Sequence, residues 1–261
     1  LSAEGYRESF DMAWHAYQNQ YKQVLMQNAK TEQERITADN YTIQMRQNVL
    51  PKLNRFDRCV TCHVAMEDDR MSDMANPLKS HPGNYLETHD VNKVGCTLCH
   101  DGQGRAITMD DAHAQTKGKY WEKPMLSVPF LEANCARCHM NELEQPEHYN
   151  RGKALVQSNG CKLCHMIQGK GGEVGPDLSD ISEASFHLKA SLPENRDAYY
   201  ELFDGNVNLG YLYESVKYPA AQGGEDTQML DFEFSDTDLF DVMVYLKSLS
   251  SKRRVLDVGA E

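Results

Sequence analysis

Aromatic and apolar residues recur at helical spacing near the start of the chain. Phe10, Trp14, Tyr17, Tyr21 and Leu25 follow one another at steps of three and four residues. This is the period of one helix face, so the pattern predicts an amphipathic helix with an aromatic stripe. We expect the stripe to pack on the body of the protein; a subunit interface is the alternative.

A polar run at residues 28–40 interrupts this pattern. A second apolar segment with Tyr41, Met45 and Val49 then ends at Pro51. Because proline rarely continues a helix, the sequence predicts a helical hairpin or a bent helix here. Residues 1–52 are therefore interpreted as an N-terminal helical segment.

A second strong helical pattern lies near the other end of the chain. Ser235, with Asp238 three positions later, has the pattern of an N-cap, and it predicts a final helix from about Asp236 to Ser248. The apolar stripe of this helix consists of Leu239, Val242, Leu246 and Leu249. No stretch shows the alternation typical of sheets, so the predicted fold class is all-α with extensive loops.

The chain contains four Cys-x-x-Cys-His motifs, and they use all eight of its cysteines. These are Cys59, Cys62, Cys96, Cys99, Cys135, Cys138, Cys161 and Cys164. This spacing places two cysteines one helical turn apart, where they can form thioethers with the two vinyl groups of a haem. Zinc binding or redox disulfides are the alternative, but they leave the histidine that follows each pair unexplained. The sequence predicts four covalently attached haem c groups.

The histidine that closes each motif is the expected proximal ligand of the haem iron. These ligands are His63, His100, His139 and His165. Covalent haem attachment takes place outside the cytoplasmic membrane in bacteria and archaea, which implies a periplasmic or extracellular protein. The sequence starts at Leu1 without a signal peptide, as expected of a mature or trimmed protein.

Composition narrows the choice of partners. The formal net charge of −12 argues against nucleic acid as a partner and suits docking to a basic redox protein, with solubility as the alternative explanation. No apolar stretch of the sequence is long enough to span a bilayer. Hydrophobic residues make up 40% of the 261 residues, a modest supply for a core, which four haems would supplement.

The spacing of the motifs predicts the domain organisation. Residues 53–146 hold three motifs among Pro, Gly, Asn and Asp residues, and they are interpreted as a three-haem domain of low regular structure. Residues 147–250 hold the fourth motif between predicted helices. Residues 251–261 form a C-terminal tail.

Residues 149–250 resemble a class I cytochrome c domain. The order of the pattern is a helix with Gly152, the fourth motif, Gly175-Pro176, a helix before Pro219, a loop with Met229, and the final helix. The resemblance implies that Met229 is the distal iron ligand and that the Pro176 carbonyl accepts a hydrogen bond from His165. It also implies that Gly152 lets the first helix approach the last one near Tyr245.

The preceding part of the chain resembles multihaem cytochromes that accompany bacterial respiratory chains. The motifs that carry this resemblance are Asp57-Arg58-Cys59, His81-Pro82, His89, Gly95-Cys96, residues 101–106 and Ala112-His113. It implies electron transfer near a membrane quinol-oxidising complex.

Six histidines remain for the distal positions of the first three haems. His81, His89 and His113 lie within the three-haem stretch and recur in the resembling pattern, so they are the predicted distal ligands. The sequence leaves open which histidine serves which iron. The other three, which are not favoured, are His15, His148 and His187.

These ligands predict an electron carrier rather than an enzyme. A thioether ligand raises the haem potential above that of a bis-histidine haem, so electrons are expected to enter through the three-haem domain and leave from the fourth haem. The predicted function is a respiratory relay between a quinol-linked or other membrane donor and a downstream acceptor. The alternatives are a subunit of an extracellular cytochrome filament, with ligands shared between subunits, and a multihaem reductase with an open iron site.

Overall fold

The computed structural model describes residues 13–114, 121, 123–136, 138–139, 146–183, 202–203, 206–220 and 226–250. The chain divides into two compact units, residues 1–116 and residues 117–261. Within the described ranges the elements are mainly helices joined by loops, with one two-stranded sheet. This mostly helical, loop-rich architecture agrees with the predicted class.

The first unit contains short elements around the first two motifs. Its helices are α1 (Ala13–Asn28), α2 (Glu32–Asp39), α3 (Tyr85–Thr88), α4 (Val91–Val94), α5 (Thr97–His100) and α6 (Met109–His113). Strands β1 (Asn48–Leu50) and β2 (Arg55–Asp57) pair antiparallel, with Asn48 opposite Asp57.

Helix α1 carries the predicted aromatic stripe, of which Phe10 lies outside the described residues. It buries Trp14, Gln18 and Tyr21. Tyr21 belongs to a small core with Ala65, Met71 and Leu78, which follow the first motif in sequence. The stripe therefore packs on the motif-bearing part of its own unit.

The prediction of a second helical segment is wrong. Residues 41–47 are not helical, Val49 lies in β1, and helix α2 occupies the polar run instead. A capping box explains the start of α2, because the Thr31 side chain accepts from Glu34 N–H while Glu34 accepts from Thr31 N–H.

Long-range hydrogen bonds hold the segment after α2 in a non-helical conformation. The Gln18 amide donates to Gln44 O at 2.8 Å and accepts from Gln44 N at 3.0 Å. Thr61 Oγ1 accepts from Arg46 N at 2.9 Å and also bonds to Arg46 O. These partners replace the backbone bonds that a helix would have required.

Within its described residues, the second unit contains one short helix and three longer helices of 11 to 13 residues. They are α7 (Leu131–Cys135), α8 (Glu147–Ser158), α9 (Val207–Lys217) and α10 (Asp236–Ser248). The final helix has the predicted bounds, and its N-cap is Ser235, whose side chain accepts from Asp238 N–H at 3.1 Å. Leu239, Val242 and Leu246 of this helix, and Leu249 directly after it, are buried in one core.

Helices α8 and α10 cross at very short range. A Cβ built on Gly152 would overlap the Asp241 carbonyl oxygen and lie 3.0 Å from Tyr245 Cβ. Only a residue without a side chain allows this approach, so the predicted contact between Gly152 and the last helix near Tyr245 is confirmed.

The third motif lies in the second unit. Phe130 and Ala133, just before Cys135, are buried in the same core as α10. The division between the compact units thus falls between the second and third motifs, away from residue 146. The grouping of three haems over residues 53–146 stays a prediction.

Candidate haem-binding sites

All four motifs share one backbone hydrogen bond of a helical turn. The histidine N–H donates to the carbonyl oxygen of the first cysteine at 2.9 to 3.0 Å in each, at His63, His100, His139 and His165. This turn places both cysteines and the histidine on neighbouring positions of one face. None of the eight cysteines forms a disulfide, as thioether attachment requires.

In the fourth motif, hydrogen bonding fixes the orientation of His165. This side chain is buried, with 9% of its surface exposed. Its Nδ1 lies 2.8 Å from the Pro176 carbonyl oxygen, so Nδ1–H donates to that oxygen and leaves Nε2 available to a metal. Pro176 therefore occupies the position that the resemblance implies.

Glycines allow the backbone to pass close to the same histidine. A Cβ on Gly175 would lie 2.7 Å from His165 Nδ1, and one on Gly171 would overlap the His165 carbonyl oxygen. Gly171 also has φ +138°, which side-chain-bearing residues rarely adopt. The loop after the motif is thus shaped around the imidazole.

Met229 lies in the loop between α9 and α10 and is partly buried. Its backbone N–H lies 3.4 Å from the Thr227 hydroxyl oxygen. This is the chain position from which the resemblance implies a distal ligand. Ligation by Met229 stays a prediction.

The first and second motifs are joined through the Asp57 carboxylate, which is 1% exposed. Asp57 ends β2, two residues before Cys59. It accepts hydrogen bonds from Cys96 N at 2.6 Å, Thr97 N at 2.9 Å and Thr97 Oγ1 at 2.8 Å. One side chain therefore sets the position of the second motif relative to the first.

Two glycines enclose this carboxylate. A Cβ on Gly95 would lie 2.5 Å from Asp57 Oδ2, and one on Gly104 would overlap Asp57 Oδ1. Asp57, Gly95 and residues 101–106 carry part of the resemblance to multihaem cytochromes, but the sequence assigned no role to Asp57, Gly95 or Gly104. Asp57 and Gly95 lie just before the first two motifs and Gly104 lies just after the second, which was the available signal, but their mutual contact depends on the folded chain.

Two of the predicted distal histidines face proximal histidines. The ring centroids of His63 and His113 are 6.4 Å apart, and those of His81 and His100 are 6.1 Å apart. Two imidazoles that bind one metal at about 2.0 Å, with ring centres about 1.1 Å beyond the nitrogens, have centroids about 6.2 Å apart. Both centroid distances match this separation.

Burial affects the protonation of three of these four rings. Burial lowers the pKa of His63, His100 and His113, with smaller contributions from neighbouring histidines to the first two. Neutral imidazole is the form that ligates a metal.

A cavity of about 450 Å³ lies beside His63. Apolar side chains on its wall include Leu25, Val60, Val64 and Val91. Its volume lies within the range of ligand and cofactor pockets, about 300 to 1,000 Å³. The wall also includes Arg46, Glu67 and Arg70 but neither cysteine of the first motif, so the cavity borders the motif without itself marking a haem site.

His89 has a different environment. Its Nδ1 lies 3.0 Å from Tyr85 O and 3.0 Å from Thr88 Oγ1, at the end of α3. Donation from Nδ1 to a carbonyl is common among metal-ligating histidines. Distal ligation by His89 stays a prediction.

The third motif begins at the end of α7. Burial is the largest cause of the raised pKa of the Cys135 thiol, while the His139 side chain is exposed. Cys138 N–H donates to Cys135 O at 3.2 Å, which completes the turn of the motif.

The three histidines that were not favoured have separate settings. His148 Nδ1 lies 2.6 Å from the buried Asp241 carboxylate, and the His15 ring stacks on Trp14 with centroids 3.7 Å apart. His187 lies outside the described residues.

The crossed helices α8 and α10, with a buried histidine held by a proline carbonyl after Cys-x-x-Cys-His, define the second unit as the site of a c-type haem. Residues 149–250 match the family model described as Cytochrome c, so this region is a cytochrome c domain. Such a domain indicates electron transfer with covalently bound haem, as in c-type cytochromes. Comparisons with curated proteins and with solved structures found no match. Among the described residues, no helix has the length and apolar character needed to cross a bilayer.

Proposed function

We propose that this protein is a tetrahaem c-type cytochrome that transfers electrons in a respiratory chain. The observation that carries the proposal is the shared helical turn of all four Cys-x-x-Cys-His motifs, in a chain whose last motif belongs to a cytochrome c domain. Because one motif of this kind attaches one haem, four motifs support four haems.

The proposed iron ligands divide the haems into two kinds. His81, His89 and His113 are the distal ligands of three bis-histidine haems, and Met229 completes the haem of His165. Each haem supplies one-electron redox chemistry at its iron. The protein adjusts the potential through the ligands, their hydrogen bonds and burial.

The route follows from the expected potentials. Electrons enter from a quinol-linked or other membrane donor at the bis-histidine haems of residues 53–146 and leave from the haem of residues 147–250. The thioether of Met229 favours ferrous iron, so this haem holds the electron most tightly. A downstream redox protein then accepts it.

The proposed location is the periplasm or the cell exterior, where haem c is attached to proteins. The net charge of −12 favours partners with basic docking surfaces. A membrane quinol-oxidising complex and a downstream acceptor are the proposed partners. The protein acts as a carrier rather than as a multihaem reductase.

A redox titration of the holoprotein tests the proposal. Substitution Met229→His should lower the highest of the four midpoint potentials and leave the other three unchanged, because it exchanges a thioether for an imidazole. Met26→His, at an exposed methionine of α1, is the matched control. An unchanged highest potential contradicts the proposed ligand and route.

Haem content tests the number of haems, and gas binding tests whether every iron is six-coordinate. The pyridine haemochrome assay should give four haems per chain. Carbon monoxide should leave the reduced spectrum unchanged, since six-coordinate irons offer no vacant position. Carbon monoxide binding to the native protein would instead favour a reductase.

A further inference from the structure

The first unit contains two histidine pairs in a nested order along the chain. His63 faces His113, and His81 faces His100, so the second pair lies entirely within the loop closed by the first. We propose that His113 is the distal ligand of the haem attached at the first motif and that His81 is the distal ligand of the haem attached at the second. This inference rests on the proposed function, because it assigns ligands within the haem protein proposed above.

A continuous set of hydrogen bonds brings His113 back to the first motif. Arg58 N–H donates to Gly104 O at 2.7 Å, and Gln103 N–H donates to Ala112 O at 2.8 Å. Gly104 also encloses the Asp57 carboxylate. The loop after the second motif is thus bound on one side to the first motif and on the other side to α6.

Helix α6 then presents His113 at its C-terminal end. Its N-cap is Thr108, whose side chain accepts from Asp111 N–H at 3.3 Å. Ala114 has φ +55°, and its N–H returns to Asp111 O at 3.2 Å, so the helix ends directly after His113. The short helix is fixed at both ends, which defines where the imidazole lies.

His81 is held independently of α6. Its backbone N–H donates to Met66 O at 2.8 Å, and its Nδ1 lies 2.9 Å from Pro82 O. Donation from Nδ1 to this carbonyl leaves Nε2 to bind a metal, as is usual for metal-ligating histidines. The His81 ring also lies edge-on to Tyr85, with centroids 6.3 Å apart.

The two haem sites adjoin each other. Asp57 joins the start of the first motif to Cys96 and Thr97 of the second through three hydrogen bonds. The Cys59 and Cys96 side chains also lie next to each other. The attached edges of the two haems are therefore neighbours, which favours rapid electron exchange between them.

Nuclear magnetic resonance of the fully reduced holoprotein, labelled with ¹³C in histidine, tests the assignment. Both axial rings of one haem give cross-relaxation peaks to the same meso protons. We expect His63 and His113 to share one set of meso protons, and His81 and His100 to share another. Exchange of the two distal rings between the sets would overturn the proposal.

Variants show which peaks belong to which distal histidine. His113→Met should remove the distal peaks of the first haem and leave those of the second, and His81→Met should do the reverse. His148→Gln, in the second unit, is the control and should leave both sets intact. If a variant does not accumulate, the Cβ protons of each labelled histidine assign the wild-type rings instead.

Electron paramagnetic resonance of the oxidised protein is a second test of the ligand assignment. The ring planes of His81 and His100 lie at 80°, and those of His63 and His113 lie at 37°. Near-perpendicular ligand planes leave two iron d orbitals close in energy and produce a strongly anisotropic signal with a large maximum g value, whereas the smaller angle produces a rhombic signal. His81→Met should remove the first signal and His113→Met the second; the reverse result contradicts the assignment.

These outcomes separate the two proposals. A purified chain without haem at the first two motifs would contradict the proposed function. A fully haem-loaded chain with exchanged ring-to-haem contacts would contradict only the ligand assignment.

Discussion

The Asp57 carboxylate shows how one residue can determine the geometry of two cofactor sites. It is buried and accepts three hydrogen bonds from the second motif, while its own position comes directly before the first. Asp57→Ala would leave two backbone N–H groups and one hydroxyl without their acceptor. We expect it to lower the free energy of unfolding of the holoprotein by about 3 kcal/mol.

Denaturant unfolding followed by the Soret band measures this loss. Asp73→Ala is the control, because Asp73 lies in the same unit and is exposed. We expect the control to change stability by less than about 0.5 kcal/mol. Equal effects of the two substitutions would show that Asp57 does not join the motifs.

Asp68, at the edge of the small core, makes a pH-dependent contribution to the stability of the folded protein. Its hydrogen bonds with the Arg70 guanidinium are the largest cause of its lowered pKa, and the Tyr21 hydroxyl donates to the same carboxylate at 2.9 Å. A lowered pKa means that the folded state favours the ionised form. The resulting stability is present above the ordinary carboxyl pKa, near 4, and is lost as pH falls through the folded value.

Asp68→Asn should therefore destabilise the protein at pH 7 by about 1 kcal/mol, a modest value because the Arg70 side chain is 52% exposed and screened by water. The difference from wild type should be constant between about pH 5 and 7 and shrink below about pH 4. Urea unfolding at a series of pH values measures it. A difference that grows toward acid pH would contradict the ion pair.

Among the secondary-structure elements, the close packing of α8 on α10 depends on one small residue, Gly152. A Cβ at Gly152 would overlap the Asp241 carbonyl oxygen, and neither backbone can move without disturbing the core. Gly152→Ala should therefore destabilise the cytochrome c domain by about 2 to 3 kcal/mol, although alanine favours helices.

Thermal unfolding monitored at the Soret band measures this effect. Lys153→Ala is the matched control, since Lys153 is the next residue of the same helix and is exposed. A Gly152→Ala variant as stable as the control would show that the two helices do not approach as closely as the structure has them.

The elements also show which local signals determine structure. Helix α10 was predictable because its cap at Ser235 and its apolar stripe are both local in sequence. The segment after α2 was not predictable, because Gln18 and Thr61 hold it through hydrogen bonds from distant parts of the chain. The short β1–β2 sheet, which places Asp57, likewise lacks a pattern long enough to recognise.

For the molecule as a whole, local sequence predicts the residues that attach the haems but does not predict which distal histidine binds which iron. The cysteines and proximal histidines are adjacent in sequence, so spacing alone predicts them. The pairing of His63 with His113 instead depends on the contacts of Asp57, Gly104 and Gln103, which only the folded chain brings together. Position in sequence could nominate distal histidines but could not assign them to irons.

The two compact units group the four motifs differently from the proposed iron ligands. The third motif packs through Phe130 and Ala133 on the core of the cytochrome c domain, whereas the first two motifs lie together in the other unit. Compactness therefore groups the motifs as two and two. The proposed ligands group the haems as three and one, so redox character and packing need not coincide.

Near-infrared magnetic circular dichroism of the fully oxidised holoprotein distinguishes bis-histidine from histidine-methionine irons by the energy of their low-spin charge-transfer bands. A tetrahaem carrier with His81, His89, His113 and Met229 as distal ligands should show the two kinds in a ratio of three to one, with no high-spin iron. A high-spin band, or the absence of a histidine-methionine band, would contradict it.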